Sequence, residues 1–340
     1  MTVRIGVVGA GWVSKARHIR SFAAHPDAQV VSIFDRHPDR AAALARELGI
    51  PHWTSTMDEM LDQELDVLSI ATPPWTHAEL AVQALQRGLH VFTEKPMAMN
   101  ASEAHEMVAT AETAGRLLCV SHNFLFSRSA RSVRRFLGPD PDILYATAVQ
   151  LSSLRRRLPT WISQLPGGLL FDEMPHVIYL LQGFLGPITV EDVRIERPSA
   201  ESAVRAVEVW VRGRHAPGQI VMVADAPISE WQVVLVGSRG VAVLDLFRDI
   251  ALRVRPDGAH RPLDILKTSA RMVGDHAVGF AASGTRYVSG RLFWGHDTLI
   301  MEFVDAILGR RALPVPAEEA LGVVRVTDRI VEELVRNPGG

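Results

Sequence analysis

The chain has 340 residues, 47% apolar and 22% charged, with a formal net charge of −2. That length suits two domains, and the near-neutral balance gives no reason to expect nucleic acid or an anionic membrane as partner. A single cysteine, Cys119, excludes a disulfide framework and a multi-thiolate metal site, and no apolar run approaches membrane-spanning length. The first residues run straight into an apolar strand with no basic-then-apolar leader, so a cytoplasmic protein is expected. Only Lys15, Lys95 and Lys267 are lysines, the other basic residues being arginine. Each lysine therefore draws notice, because lysine can lose its proton and arginine cannot.

The chain opens with VRIGVVG, a β-branched apolar run that ends in glycine and leads into a helical pattern. AQVVSIFD repeats the strand pattern, and RAAALARELG is an Ala/Leu helix closed by Gly49. LDVLSIATPP, LHVFTEKP and RLLCVSHN are further buried strands, separated by helical patterns over about residues 74–87 and 101–114. Strand and helix alternate to about residue 122, which predicts an α/β domain with a parallel sheet and right-handed crossovers. Ligands of such sheets bind at the carboxyl ends of the strands, so the residues that follow each strand carry the information.

After the first strand comes Gly9-Ala10-Gly11-Trp12-Val13-Ser14, a G-x-G-x-x-small turn. Gly9 permits the tight turn, Gly11 lets the backbone approach a pyrophosphate, and Ser14 is small enough for close helix–strand packing. Asp35 ends the next strand, where a carboxylate accepts hydrogen bonds from the adenosine ribose. Its charge favours NAD over NADP; Arg36 follows and offers a cation for a 2′-phosphate, so NADP stays open. Thr72 and Pro73 end the ATPP strand beside the expected cofactor. His77, in the first turn of the next helix, either faces the same crevice or is a helix-surface histidine. Glu94-Lys95-Pro96 ends another strand. A cationic Lys95 there would polarise a substrate oxygen, and a neutral one would relay a proton.

In GGLLFDEMPHVIY, residues 167–179, Asp172 and His176 stand one helical turn apart in an apolar run. A carboxylate buried there without a partner would cost several kcal/mol, roughly, so the pair needs company. A structural pair and an acid–base centre are the two readings. Zinc is set aside, since neither H-x-x-x-H nor H-E-x-x-H spacing occurs.

From about residue 142 the pattern changes to alternating strands: ILYATAVQLSSL, VRAVEVWVRG, GQIVMVADAP, WQVVLVGSRG and VAVLDLF. Gly/Pro turns join several of them, which predicts a largely antiparallel sheet with one face to spare for oligomerisation. Residues 255–292, rich in Gly, His and Arg, read as a long excursion over the surface. Helices from His296 and Pro316 close the chain. Arg155, Arg156 and Arg157 read either as a solvated charge run or as a site for an anionic substrate. Trp161 is suited to stack on a sugar or nicotinamide face, and His296 either enters the site or simply starts its helix.

Together these segments resemble the Gfo/Idh/MocA oxidoreductases, the glucose–fructose oxidoreductase and inositol dehydrogenase-like family. The resemblance is carried by GVVGAGWVS, by ATPPWTHAELAVQALQRGLHVFTEKPMAMN, by SHNFLFS and by GGLLFDEMPH. It implies a Rossmann dinucleotide-binding domain over 1–122 and an α+β substrate domain over 123–340 with an open, largely antiparallel sheet. The C-terminal helix would be free to pack back on the first domain. It also implies a homodimer or homotetramer through that sheet, a cis Lys95–Pro96 bond, and a nicotinamide site that takes in Asn123 and Trp161. Lys95, Asp172 and His176 take the family's catalytic positions: His176 as general base, Lys95 stabilising the alkoxide, Asp172 orienting the site. The implied activity is NAD(P)-dependent oxidation or reduction at a secondary alcohol or ketone of a sugar or polyol. An NAD-dependent glycosidase and a non-catalytic NAD sensor are the alternatives. Two departures from the family pattern stand out: NFLFSR delays an arginine to Arg128, and Met174-Pro175 interrupts the D-x-x-x-H turn.

Overall fold

The computed structural model describes residues 2–138, 142–155, 158–197, 204–214 and 216–336. The chain forms two compact units, Met1–Asn123 with Gly295–Arg325, and Phe124–Trp294 with Val326–Gly340.

The first unit is built on six parallel strands: β1 (Val3–Val8), β2 (Ala28–Phe34), β3 (His52–Thr54), β4 (Val67–Ile70), β5 (His90–Thr93) and β6 (Leu118–Val120). Their order in the sheet is β3-β2-β1-β4-β5-β6. The order reverses between β1 and β4, and there the loops leaving the carboxyl ends part to form a crevice. Covered on both faces, the strands are apolar along nearly their whole length; all four residues of β4 are buried. The short edge strand β3 has no apolar run to announce it; two of its three residues are exposed.

A π-helical stretch, Ser14–His18, follows the glycine turn and runs into α1 (Ile19–Ala23). Next come α2 (Pro38–Leu48), α3 (Met57–Leu61), α4 (His77–Gln86) and α5 (Ala101–Ala114). Helix α2 starts with proline and ends at Gly49, whose φ of 67° suits the left-handed cap. At the start of α5, Asn100 accepts from the Glu103 amide at 2.9 Å, and Glu103 reaches back to the Met99 amide at 3.0 Å. Residues 295–325 join this unit because their helix buries Leu299, Ile300, Phe303 and Val304, with the Phe303 ring 5.6 Å from Phe92.

The second unit holds seven strands: β7 (Ile143–Leu151), β8 (Thr189–Glu196), β9 (Ala206–Arg212), β10 (Pro217–Val223), β11 (Glu230–Gly237), β12 (Gly240–Asp245) and β13 (Ile250–Val254). They lie in the order β13-β12-β11-β7-β10-β9-β8. Only β7 and β10 pair in parallel, so the sheet is mixed and mostly antiparallel. Burial alternates along β9, β10 and β12, as expected when one face packs and the other is partly open. Three helices belong to this unit: α6 (Arg128–Leu137), α7 (Leu169–Leu185) and α8 (Pro262–Val288). Fourteen of the 17 residues of α7 are buried, the mark of a helix enclosed on all sides. Residues 255–292 therefore do more than cross the surface: they contain the 27-residue α8. Two more helices complete the chain, α9 (His296–Ile307) and α10 (Ala317–Arg336). No helix among the described residues is long and apolar enough to cross a membrane.

Asp249 ties α6, β13 and α8 together. It is buried at a φ of 51°, and its Oδ1 accepts from the Ser129 amide at 2.8 Å, in the first turn of α6. Its Oδ2 lies 3.9 Å from Arg128 Nε and 3.8 Å from Arg286 Nη1. Arg128 also donates to the carbonyls of Asp249 (2.6 Å) and Gly279 (3.3 Å). The arginine that the motif delays to position 128 thus fastens α8 to its neighbours. Asp249→Ala leaves two guanidiniums without their shared carboxylate and an amide without its acceptor. We expect it to lower unfolding free energy by about 3 kcal/mol, the scale for breaking a buried ion pair from one side. Urea unfolding followed by circular dichroism checks this; a loss below about 1 kcal/mol would show that the carboxylate is not structural.

Candidate active site

The glycine-rich turn sits at the carboxyl end of β1. Gly9 has a φ of 97°, and a Cβ there would stand 2.6 Å from the Ala71 carbonyl oxygen, so only glycine fits. Gly11 is the opposite case: nothing lies within 4 Å of where its Cβ would be. Ser14, fully buried, donates through Oγ to the Gly9 carbonyl and pins the turn to the first turn of its own helix. Val13 is half-buried, and Trp12 is exposed with the Arg17 guanidinium 4.9 Å over its ring. Asp35 accepts from the Ala10 amide at 2.9 Å and from the His37 amide at 3.0 Å, one bond to each oxygen. Each oxygen keeps a lone pair for a ribose hydroxyl. Arg36 is exposed beside it. Open space at Gly11, amides at a helix start and an acceptor carboxylate at the next strand end fit a dinucleotide.

The loops after β4 and β5 are joined by His77. Its ring is fully buried, with Nδ1 2.7 Å from the Pro96 carbonyl and Nε2 2.9 Å from the Thr72 carbonyl. Burial pushes its pKa down, against the pull of the two carbonyl acceptors. Both nitrogens are taken by backbone, so His77 does not face the crevice as a ligand-binding group; it holds Thr72 and Pro96 in register. Thr72 Oγ1 is 2.6 Å from Thr76 Oγ1, and Pro73 is half-buried next to it. The Lys95–Pro96 peptide is cis.

Glu94 is the centre of a cluster that the linear pattern does not reveal. Its Oε1 lies 3.0 Å from His18 Nε2 and 3.5 Å from His296 Nε2, and its Oε2 accepts from the Lys95 amide at 3.3 Å. His18 Nδ1 is 2.9 Å from Ser69 Oγ. The consistent assignment has the serine hydroxyl donating to Nδ1 and the Nε2–H donating to the carboxylate. Burial works to raise the Glu94 pKa, but hydrogen bonds from His18 and His296 outweigh it and hold the carboxyl well below its usual value. Burial lowers the His18 pKa, with Glu94 opposing. His122, also buried, is pushed down to about 3 by desolvation. Asn123, buried at the end of this unit, follows it. A single histidine four positions after a glycine turn carries no motif; only the strand order brings His18, Ser69 and Glu94 together.

In the second unit, Pro175 lies inside α7, and Asp172 and His176 share its face. His176 is 9% exposed, and its Nδ1 is 2.9 Å from Tyr179 Oη. The same oxygen accepts from the Phe124 amide at 3.2 Å. The rings of Phe124 and Trp231 stand 5.2 and 5.1 Å from the imidazole. Glu173, not singled out by the motif, is buried and accepts from Gln150 at 2.9 Å and from Ser152. Trp161 is half-buried at the start of a short 3₁₀ turn, and Arg155 is exposed; Arg156 and Arg157 lie outside the described residues.

Residues 3–122 match the model of the oxidoreductase family with the NAD-binding Rossmann fold, Gfo/Idh/MocA. This segment of the chain is similar to that family. A putative UDP-kanosamine synthase oxidoreductase subunit of Amycolatopsis mediterranei is 30% identical over 57% of this chain and 54% of its own length. The chain thus aligns with about half of that relative. The 1,5-anhydro-D-fructose reductase of Ensifer adhaerens is 29% identical over 66% of this chain and 69% of its own. Among solved structures, the WlbA dehydrogenase of Bordetella pertussis, in complex with NADH and UDP-GlcNAcA, superposes with a TM-score of 0.78. It is 22% identical and covers 98% of this chain and 96% of its own, a likeness of fold. The matched family is NAD-binding, so the cofactor of the first unit is a nicotinamide dinucleotide.

Two substitutions separate cofactor binding from folding. Gly11→Val places a side chain in open space, so we expect unfolding free energy to stay within about 1 kcal/mol while NAD affinity falls at least tenfold, roughly. Calorimetric titration with NAD alongside urea unfolding checks both halves. Glu94→Gln keeps the shape but removes the charge, and we expect a stability loss of about 2 kcal/mol at pH 7. Because the folded carboxyl is held below its unfolded value, this contribution is complete above the ordinary carboxylate range and disappears as pH falls through the depressed value. The gap between wild type and variant in urea should therefore be full at pH 7 and shrink below about pH 4. A gap independent of pH would mean that charge plays no part.

Proposed function

We propose that this chain is an NAD(P)-dependent dehydrogenase or ketoreductase acting on a secondary hydroxyl or ketone of a sugar, polyol or sugar derivative, with NAD favoured. The observation that carries the reading is Lys95, set directly after β5 where the parallel sheet opens, with its amide fixed by the ionised Glu94. The relatives named 1,5-anhydro-D-fructose reductase and putative UDP-kanosamine synthase oxidoreductase subunit support a sugar-type substrate. The cofactor-binding set is Gly9, Gly11, Trp12, Val13, Ser14 and Asp35 at the dinucleotide, with Thr72, Pro73, Glu94, Lys95, Asn123 and Trp161 toward the nicotinamide.

A bound nicotinamide would supply the hydride chemistry, as acceptor from the alcohol carbon or donor to the ketone. The chain's own residues handle the proton. His176 takes the hydroxyl proton on Nε2, which requires its other nitrogen, Nδ1, to carry a hydrogen. Tyr179 Oη, 2.9 Å away, is the acceptor for that hydrogen. Lys95 stabilises the alkoxide as it forms, and a cation does this best where water is scarce. Asp172, one turn before His176 on the same face of α7, orients the substrate hydroxyls.

The direct test is absorbance of reduced nicotinamide with NAD and NADP against polyols, sugars, sugar acids and nucleotide sugars. We expect turnover on one of these classes. His176→Ala and Lys95→Ala should each lower kcat by about 10²-fold or more, the usual weight of a positioned proton-transfer group. Each should leave NAD affinity within a few-fold of wild type. Near-native kcat in either variant overturns that residue's role. Glycoside cleavage without net reduction of the cofactor overturns the dehydrogenase reading itself.

A further inference from the structure

Helix α8 turns its apolar side to solvent. Leu263, Leu266, Val273, Phe280 and Tyr287 are each at least 64% exposed, and Ala270 and Ala277 are exposed between them. With the half-buried Gly284 these residues form an unbroken alternation of three- and four-residue steps: 263, 266, 270, 273, 277, 280, 284, 287. That is the a/d spacing of a coiled-coil seam. The opposite side of α8 faces its own unit. Gly279 and Ser283 are buried there, Thr268, Met272, Asp275 and Arg286 are half-buried, and Arg253 pairs with Asp275. A Cβ on Gly279 would stand 2.9 Å from Ile250, so the helix lies tightly on β13. The seam is thus extra to the fold and is presented on a rigid support.

We propose that this seam pairs with the same helix of a second copy of this chain, antiparallel, about a two-fold axis near residue 275. In that register every layer sets a large side chain against a small or complementary one. Leu266 meets Gly284 of the other copy, Phe280 meets Ala270, Val273 meets Ala277, and Leu263 meets Tyr287 at each end. The parallel register instead stacks Phe280 on Phe280 and Gly284 on Gly284, which leaves crowding and a void one turn apart. The residues flanking the seam carry little charge. Lys267 is the sole lysine or arginine beside it, and Ser269, Gly274 and Ala281 are uncharged neighbours, so no row of like charges opposes self-association.

The size also fits. A helix of 27 residues is about 40 Å long, and Val288, in the position next to the seam, widens its apolar strip. Five large apolar side chains, each mostly exposed along one strip, are more than the singly scattered apolar residues of an ordinary surface. This surface is distinct from the sheet face expected to support oligomerisation, and the proposal does not depend on the enzymatic reading.

The test is sedimentation of the full chain at micromolar concentration. Wild type should sediment as a multiple of 37.4 kDa, and Val273→Glu combined with Phe280→Glu should halve that mass. Both sites are exposed, so far-ultraviolet circular dichroism and NAD affinity should not change. Single cysteines fix the register, because Cys119 is the only native cysteine and is buried. In the antiparallel pair His276→Cys stands beside its mate and a short bismaleimide links the copies. Leu263→Cys lies about 36 Å from its mate along the axis and is not linked. Linking at Leu263 but not at His276 overturns the antiparallel register. A wild-type monomer, or a mass that the double variant leaves unchanged, overturns the pairing. So does a monomer that binds phosphatidylglycerol vesicles through α8.

Discussion

A carboxylate kept ionised in nearly dry surroundings, Glu94, is the interaction on which the cofactor side of this protein depends. Burial by itself works to raise its pKa. Three side chains from separate parts of the first unit prevent that: His18 from the helix after β1, His296 from the start of α9, and Ser69, which sets the His18 ring. The cluster explains why residues 295–325 travel with the first unit. A helix that buries Leu299 and Phe303 in that core also brings His296 to the carboxylate. The energy spent on Glu94 is returned as position, since its second oxygen holds the amide of Lys95. His77 does the same for the facing loop with backbone carbonyls at both ring nitrogens. The strand-end loops are therefore held by internal hydrogen bonds.

The second unit solves a different problem. Its task is to fix an imidazole ring within an apolar helix. His176 is held on one side by Tyr179 and bracketed by the rings of Phe124 and Trp231. Tyr179 Oη in turn receives the Phe124 amide, so the ring orientation is locked to the backbone where this unit begins. Pro175 inside α7 removes one amide donor in the turn between Asp172 and His176. Almost all of α7 is apolar and enclosed, which makes its few polar side chains costly to place and gives each of them a reason to be there.

Much of this was legible in the linear pattern, because it rests on local rules. The glycine turn, the strands with their punctuating Gly and Pro, the E-K-P step and the i, i+4 spacing of Asp172 and His176 are short-range features. His18 and Ser69 were not legible, since their roles arise only when β1, β4 and β5 lie side by side. His77 illustrates a limit of another kind. Its position beside the crevice follows from sequence, but the direction its ring takes does not, and the ring turns inward to two carbonyls. Strand β3 has no apolar run to mark it, since two of its three residues are exposed, and the five residues of β13 follow a turn with Asp249 in left-handed geometry.

The segment from 255 to 292 gives the most instructive difference. Its glycines and histidines read as loop composition, yet it forms a 27-residue helix. Glycine costs a helix about 1 kcal/mol relative to alanine, and α8 contains Gly274, Gly279 and Gly284. A sequence under selection for helix stability alone would not keep all three. Gly279 has a local reason, since any side chain would strike Ile250. Gly274 and Gly284 have none among the described residues: nothing lies within 4 Å of either Cβ position. Their cost is understandable if something outside the chain approaches that surface closely. Gly284 falls on the exposed seam itself and Gly274 beside it, among the residues whose apolar side chains already face water. The helix is thus weakened where it is exposed and tightly held where it is packed, which is the arrangement of an interface and the reverse of a solvated surface helix.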